Sequence, residues 1–206
     1  MRLIGMLDSP YVRRVAISMR LLDITFEHRS LSVFRDFEAF RAINPLVRVP
    51  TLVLGDGTIL VDSSIILEHL EELAGANRSL LPQDPRARLA SRRLLGIGCV
   101  ALDKAVSLLY ERTQRPERLQ HPGWIERSRL QLLSACQMLE QAVEGVSGWL
   151  FTDQPLQADV TLAVAWTFIS RQVTQDISVE AYPGLNKFTR RAEQHPAFQR
   201  YPFPAN

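Results

Sequence analysis

The chain has 206 residues, 46% of them hydrophobic and 22% charged, which is the composition of an ordinary globular protein with a substantial core. Its formal net charge of +2 is too small to predict binding to nucleic acid or to an anionic membrane surface. The longest apolar-rich stretch, VTLAVAWTFI, is far too short to span a bilayer. We therefore expect neither nucleic acid nor a membrane among the partners of this protein.

Cysteine and histidine usage indicates no metal centre. The two cysteines, Cys99 and Cys136, have neither metal-site nor redox spacing, and both lie in apolar, helix-like stretches. We predict that they are reduced core residues, which suits a cytoplasmic protein. The four histidines are scattered, and the start of the chain lacks the long apolar region of a signal peptide.

Strand and helix patterns alternate over residues 1–76. The short apolar run RLIGML is followed by a helix that Ser9 caps and Pro10 begins, with arginines away from its apolar face. TFEHRSL alternates with the period of a strand. In VFRDFEAFRAIN, a spacing of three predicts one helical face for Phe34, Phe37 and Phe40.

The stretch RVPTLVLGDGTILVDSS predicts a β-hairpin followed by a helix. Pro50 cannot donate to a sheet ladder, so it belongs at the entrance of the first hairpin strand. Asp56 and Gly57 predict a two-residue turn, and DSSIILEHLEELAG reads as the helix. The resulting order, β-α-β-α-β-β-α, predicts a mixed four-stranded sheet with helices on its faces.

Strand patterns disappear after residue 76. Residues 77–85 read as a linker, and the later patterns are helical, over about 86–114, 123–146, 157–171 and 184–194. The sequence therefore predicts an α/β domain over 1–76 and an all-α domain over 86–206. We interpret the arginines of RARLASRR as a solvated helix face, or a face near a dimer partner, rather than a nucleic-acid patch.

Four motifs resemble those of bacterial glutathione S-transferases: SPYVRRV after the first strand, NPLVRVPTLV, DSSIILEHLEE and LQADVTLA. They occur in the family's order and spacing, and the resemblance covers essentially the whole chain. It implies a serine-type enzyme with a thioredoxin-like domain followed by a helical one. It also implies a cytoplasmic homodimer that uses glutathione as a co-substrate.

The resemblance assigns a role to the strand-entry proline. In the family this bond is cis, and the backbone N–H and C=O of the preceding residue, here Val49, pair with the cysteinyl backbone of glutathione. Such pairing is β-strand addition by a small peptide. The alternative is a trans Pro50 that only opens an edge strand.

The resemblance also places the γ-glutamyl end of glutathione at DSS. Ser63 would give its backbone N–H and hydroxyl to the carboxylate, because a helix N-terminus binds anions well. Asp62 would accept from the γ-glutamyl ammonium, although many family members have the longer Glu or Gln there. The alternative is that these residues are only a helix cap.

Ser9 is the catalytic candidate. It lies at the tip of the first strand and the start of the first helix, where its hydroxyl could stabilise a glutathione thiolate. It could also be a plain cap before Pro10, and Tyr11 is the rival hydroxyl. No cysteine lies near Ser9, which disfavours the thiol-exchanging members, and the Ser-Ser-Cys start of the maleylacetoacetate isomerase branch is missing.

Two residues depart from the family pattern. Val47 stands where the family usually has glycine, and a valine does not adopt glycine-only backbone angles cheaply. Leu156 stands where a serine or threonine would complete a capping box with Asp159.

The function expected is a glutathione transferase that adds the thiolate to a small electrophile. The alternatives are a non-catalytic interaction protein on the same fold, of the stringent-starvation regulator type, and a glutathione-dependent peroxidase or isomerase.

Overall fold

A computed structural model describes residues 1–204 of the chain. The chain divides into two compact units. The first comprises Met1–Leu80 together with the segment from His195 on, and the second comprises Leu81–Gln194. The first unit is mixed α/β and the second is helical, so the predicted fold class is confirmed.

The first unit is built on a sheet of four short strands in the order β2-β1-β3-β4. Their bounds are β1 (Arg2–Ile4), β2 (Glu27–Arg29), β3 (Thr51–Val53) and β4 (Ile59–Val61). β2 runs parallel to β1, whereas β3 is antiparallel to both β1 and β4. The sheet is therefore mixed, as the sequence predicts.

Helices cover this sheet and enclose the core of the first unit. They are α1 (Pro10–Leu21), α2 (Phe37–Arg41) and α3 (Ser63–Ala74). α1 and α3 contact each other, and their apolar faces pack with β1 and β3. The largest cluster of buried apolar side chains includes Leu3, Val12, Val15, Met19, Leu52, Ile66 and Leu70.

The predicted phenylalanine face is wrong. Only Phe40 is buried, while Phe34 and Phe37 are 54% and 45% exposed. The reason is that α2 begins late: the Asp36 carboxylate accepts from the Ser32 N–H at 2.8 Å and holds the preceding residues in a turn. Phe34 therefore lies before the helix.

The prediction that the α1 arginines lie away from the core is wrong for Arg13 and Arg14, while Arg20 is exposed. Arg13 is fully buried, its Nε donates to the Tyr201 carbonyl at 2.8 Å, and its guanidinium lies 5.8 Å from the ring centroid of Phe198. Tyr201 also stacks on Phe26, with ring centroids 5.6 Å apart. These contacts return the C-terminal segment, with the unpredicted helix that begins at Pro196, to the first unit.

The all-α domain predicted over 86–206 thus differs from the second unit at both ends. The hairpin differs in detail as well: Leu54 donates to the Thr58 carbonyl at 2.9 Å, so three residues, Gly55 to Gly57, form the loop instead of two. The Thr58 N–H that bonds the Asp56 carboxylate also lowers the pKa of that carboxyl.

The second unit contains four helices close to those predicted. They are α4 (Pro85–Thr113), α5 (Pro122–Val143), α6 (Gln157–Gln172) and α7 (Pro183–Glu193); the short helix of the first unit that follows them is α8 (Pro196–Arg200). α6 is buried along most of its length and packs against α4 and α7. No helix among residues 1–204 is long and apolar enough to cross a membrane.

Asp159 forms only the second half of a capping box, in which the N3 side chain accepts from the N-cap backbone. Leu156 has no side-chain acceptor, but the fully buried Asp159 carboxylate accepts from the N–H groups of Leu156 and Leu150, at 2.9 and 2.8 Å. Burial raises the pKa of Asp159 to about 6, against the opposing effect of these two donors and of Arg191. The folded protein therefore binds this proton more tightly than the unfolded chain does.

We predict a pH-dependent stability from this group. Its proton contributes fully to the free energy of unfolding below about pH 4, and the contribution is lost as the pH rises to about 6. The unfolding free energy of the wild type, minus that of Asp159→Asn, should fall by up to about 3 kcal/mol between about pH 4 and pH 7, measured by urea denaturation.

Asp153→Asn is the control, because it changes an exposed carboxylate close to Asp159 in sequence and should leave stability near the wild-type value. A difference between wild type and Asp159→Asn that widens as the pH rises would mean that the two N–H donors outweigh burial.

Candidate functional site

The strand register brings three chain segments to the same edge of the sheet. Thr51 lies opposite Ile4 of β1 on one side and opposite Val61 of β4 on the other. The chain therefore leaves β1, enters β3 and leaves β4 at one edge. These are the segments in which the sequence analysis places Ser9, Pro50 and Asp62.

Gly5 is the point of closest approach between two of these segments. Its φ is +136°, and a Cβ there would lie 2.6 Å from the side chain of Val12 and 2.8 Å from that of Val49. Only glycine fits both the backbone angle and this space. Val49 is consequently packed against the loop that leads from β1 into α1.

Pro50 lies immediately before β3, and the Val49–Pro50 bond is cis, as predicted. The segment before it is held by its own side chains: Asn44 donates to Thr51 Oγ1 at 2.8 Å, which in turn donates to the Arg48 carbonyl at 2.6 Å. Within residues 1–204, the backbone N–H and C=O of half-buried Val49 enter no hydrogen bond. They are open to an extended peptide, but such pairing stays a prediction.

Ser9 is the N-cap of α1, and its side chain is half-buried. Its hydroxyl accepts from the Val12 N–H at 3.4 Å, which is long for such a bond. The cap therefore engages the hydroxyl only loosely and uses it only as an acceptor. Tyr11, in the first turn of the same helix, is also half-buried, so burial does not separate the two candidates.

Asp62 and Ser63 form the beginning of α3. Asp62 is exposed, has a φ of +67° and caps the helix by accepting from the Ser64 N–H at 2.8 Å. Ser63 is the first helical residue and is only 3% exposed. Both residues thus belong to the helix N-terminus. The cap uses only Oδ1 of Asp62, and the other carboxylate oxygen takes no part in it.

Arg14 is a buried neighbour of Ser63 that the sequence analysis missed. It is 3% exposed, and its Nη1 donates to Ser63 Oγ at 3.3 Å, joining α1 to the start of α3. Arginines on an amphipathic helix usually face solvent, so the pattern gave no reason to place this one inside. Its partner lies 49 residues away in sequence, and no local signal could identify it.

No group of His, Cys, Asp and Glu side chains in the described part of the chain could hold a metal ion. The chemistry available at this edge of the sheet is that of two hydroxyls, a carboxylate, a buried guanidinium, two helix N-termini and an open backbone pair.

Comparison with known proteins connects this geometry to a family. The model of the glutathione S-transferase N-terminal domain matches residues 3–78. A maleylacetoacetate isomerase of Pseudomonas aeruginosa is 32% identical over 96% of this chain and 92% of its own length. An uncharacterized GST-like protein of Escherichia coli is 29% identical over 97% of each chain.

A solved structure agrees over the full length. A glutathione S-transferase from Methylobacterium radiotolerans, crystallised in complex with glutathione sulfonate, matches with a TM-score of 0.88. It is 27% identical, and the match covers all of this chain and 96% of that one.

Val47 adopts the backbone conformation that its expected glycine would provide. Its φ is +47°, in the left-handed region that costs a non-glycine residue about 1–2 kcal/mol. The side chain is half-buried and packs beside the cluster of Ile4, Phe40 and Val53. This contact offsets part of the cost, so the loop keeps the expected path with a valine in it.

We predict that glycine gives a more stable protein than alanine at position 47, which is the reverse of the usual order. Glycine usually lowers stability by about 0.5–1 kcal/mol relative to alanine. At position 47, however, Val47→Gly should be more stable than Val47→Ala by about 1 kcal/mol, because only alanine keeps the strain. Urea denaturation of the two variants measures the difference.

Val33 provides the matched control, since it packs beside the same cluster without a positive φ. There the alanine variant should be the more stable one. The same order at both positions would contradict the strain assigned to Val47.

Proposed function

Since this chain belongs to the glutathione S-transferase family, we propose that it is an enzyme that binds glutathione as a co-substrate, stabilises its thiolate and conjugates it to a small electrophile. Ser9 is the catalytic residue in this proposal. Val49, Pro50, Asp62 and Ser63 hold the peptide, and the enzyme works in the cytoplasm.

One observation carries the proposal: the open backbone of Val49, at the sheet edge that Ser9 and Ser63 share. A buried or half-buried N–H and C=O without partners costs free energy, so such a pair calls for an external partner. An extended tripeptide supplies one by strand addition, and its cysteinyl residue would lie along Val49. In this arrangement the sulfur would lie on the side of α1 and the γ-glutamyl group on the side of α3.

The Ser9 hydroxyl is suited to the thiolate in energy as well as position. A free thiol has a pKa of about 8.5, so only a few per cent is ionised at neutral pH. A hydrogen bond to a charged group contributes about 1.5–3 kcal/mol, which corresponds to about one to two pKa units. One hydroxyl, helped by the N-terminus of α1, would thus ionise much of the bound thiol.

At the other end of glutathione, Ser63 would donate to the γ-glutamyl carboxylate from its backbone N–H and its hydroxyl. Asp62 would accept from the ammonium group with the carboxylate oxygen that the cap leaves unused. Asp62 has a positive φ, lies just before the helix and is exposed, which supports this assignment.

A glutathione-dependent isomerase is the second candidate, because the Pseudomonas aeruginosa relative is a maleylacetoacetate isomerase. Against it, this chain has Ser9, Pro10 and Tyr11 where that branch carries Ser-Ser-Cys. Assaying maleylacetoacetate isomerisation beside conjugation of a test electrophile separates the two. Glutathione binding without either reaction would favour a non-catalytic interaction protein, and peroxide reduction alone would favour a peroxidase. No glutathione binding by calorimetry would refute the proposal.

A homodimer is part of the proposal, and α4 with α5 offers a face for it. Gly96 and Ile97 line a groove there with exposed apolar side chains, among them Val100, Leu130 and Met138. A contiguous apolar groove of this kind typically marks an interaction surface. The family resemblance and the prevalence of two-fold dimers point to a second copy of the chain.

We predict that the protein is a dimer by light scattering at micromolar concentration and that Val100→Glu converts it to a monomer. The charge would be buried without a partner at a two-fold contact, and the same change occurs in both copies. Leu119→Glu is the control, since Leu119 is similarly exposed but lies outside the groove, and it should leave the dimer intact.

We predict that Ser9, and not Tyr11, stabilises the thiolate. Ser9→Ala should raise the pKa of the bound glutathione thiol by about one to two units, as the loss of about 1.5–3 kcal/mol requires, while Tyr11→Phe should leave it nearly unchanged. Ultraviolet titration of bound glutathione measures this without the natural electrophile. The reverse pattern would assign the role to Tyr11, and no shift in either variant would leave it to the helix terminus.

A further inference from the structure

We propose that His28 is a positioning residue for the thiolate: by holding the Gly5 carbonyl, it fixes the distance between Val49 and the start of α1. The inference rests on the proposed function, in which Val49 binds the cysteinyl backbone and Ser9 stabilises its sulfur. It specifies what keeps these two groups aligned.

Gly5 is a buried residue immediately after β1, at the point where the ladder of sheet hydrogen bonds stops. Its N–H still donates to the Arg29 carbonyl at 3.0 Å, as in a parallel ladder. β2 ends at Arg29, however, and within residues 1–204 no backbone N–H donates to the Gly5 carbonyl. A buried carbonyl without a donor costs free energy, so a side chain has to replace the missing ladder bond.

The His28 ring supplies that bond from the neighbouring strand. Its Nε2 lies 2.7 Å from the Gly5 oxygen, and Nε2 must carry the proton because a carbonyl only accepts. The ring belongs to a half-buried residue whose backbone lies opposite Leu3 in the sheet. Both polar atoms of the Gly5 backbone are thus held by β2, one by the ladder and one by the His28 ring.

Gly5 lies between the two groups that the proposed reaction has to align. Its backbone is packed so closely between the side chains of Val12 and Val49 that no Cβ would fit. Val12 donates its N–H to Ser9 Oγ, whereas Val49 presents the backbone that would bind the cysteinyl residue. A shift of Gly5 would therefore change the distance between the thiolate and the hydroxyl. A misplacement of about 1 Å can cost a factor of about 100 in rate.

The hydrogen bond of His28 differs from those of the capping histidines. His121 and His195 each accept an N–H from a residue two or three positions ahead, at the start of α5 and α8. His28 instead donates across 23 residues to the loop between β1 and α1, which leads to Ser9. Its bond therefore holds the loop that carries the proposed catalytic residue.

The test is ultraviolet titration of bound glutathione on the full chain in His28→Met and His28→Gln. The two replacements have similar lengths, but only glutamine offers an N–H donor in place of Nε2. His28→Met should raise the pKa of the bound thiol by at least about half a unit, a fraction of the shift expected for Ser9→Ala. His28→Gln should restore most of the wild-type value. In the Ser9→Ala background, His28→Met should add almost nothing, because the hydroxyl that it positions is gone.

His69→Met and Leu80→Ala are the matched controls. His69 is another half-buried histidine of the first unit, on α3. Leu80 is a buried core residue outside α1, α3 and the sheet, so its truncation lowers stability without changing those elements. Both variants should keep the wild-type pKa of the bound thiol. Calorimetry with S-methylglutathione, which has no ionisable thiol, should give an affinity close to the wild-type value for every folded variant.

A folded His28→Met that keeps the wild-type pKa of the bound thiol, or a control that shifts it equally, would overturn the inference and leave the proposed function standing. An equal shift in the Ser9→Ala background would also overturn it, since His28 would then act apart from the hydroxyl. If His28→Met does not fold, His28→Asn, whose amide lies nearer the backbone and does not replace Nε2, should give the same shift. A wild type that does not bind glutathione would refute the proposed function itself.

Discussion

The pairing of β3 with a strand on each side is the constraint on which the site depends. Because Thr51 is held opposite both Ile4 and Val61, three loops that are distant in sequence must emerge at one edge of the sheet. A slip of one residue in either pairing would exchange the two faces of the strand and separate these loops. Buried Leu52 opposes such a slip, since it would have to leave the core between the sheet and α1.

Local stereochemistry explains how much of this arrangement the sequence predicts. Pro50 has no N–H to give to a ladder, so it indicates the entrance of β3, and the hairpin signal at Asp56 and Gly57 fixes where β4 follows. Ser9 and Asp62 each precede a helix pattern and are caps in the structure. Each of these features depends on neighbours a few residues away, which is why a single sequence is enough to place them.

The features that the sequence does not predict depend on contacts between distant residues. Arg14 meets Ser63, and Arg13 meets Tyr201, across 49 and 188 residues. The helical period alone indicates only that an arginine is polar, and polar residues on amphipathic helices are usually exposed. Phe34 shows the opposite error: its spacing predicts a buried helical position, but the residue lies in the turn before α2 and is exposed. The roles of the site residues toward a ligand belong to the same class of question, since they depend on groups outside the chain.

Backbone features that cost free energy of folding are concentrated where the ligand would bind. Val47 and Asp62 are two of the three non-glycine residues with positive φ in the described chain, and both lie beside the segments of the site. Val49, between them, leaves its backbone N–H and C=O without hydrogen bonds within residues 1–204. Such conformations persist only where the surrounding fold determines them, here through the paired strands and the packed α1 and α3. A ligand that completes these groups would bind the folded state alone and stabilise it in proportion to the logarithm of its concentration over its dissociation constant, which couples the stability of the first unit directly to occupancy of its site.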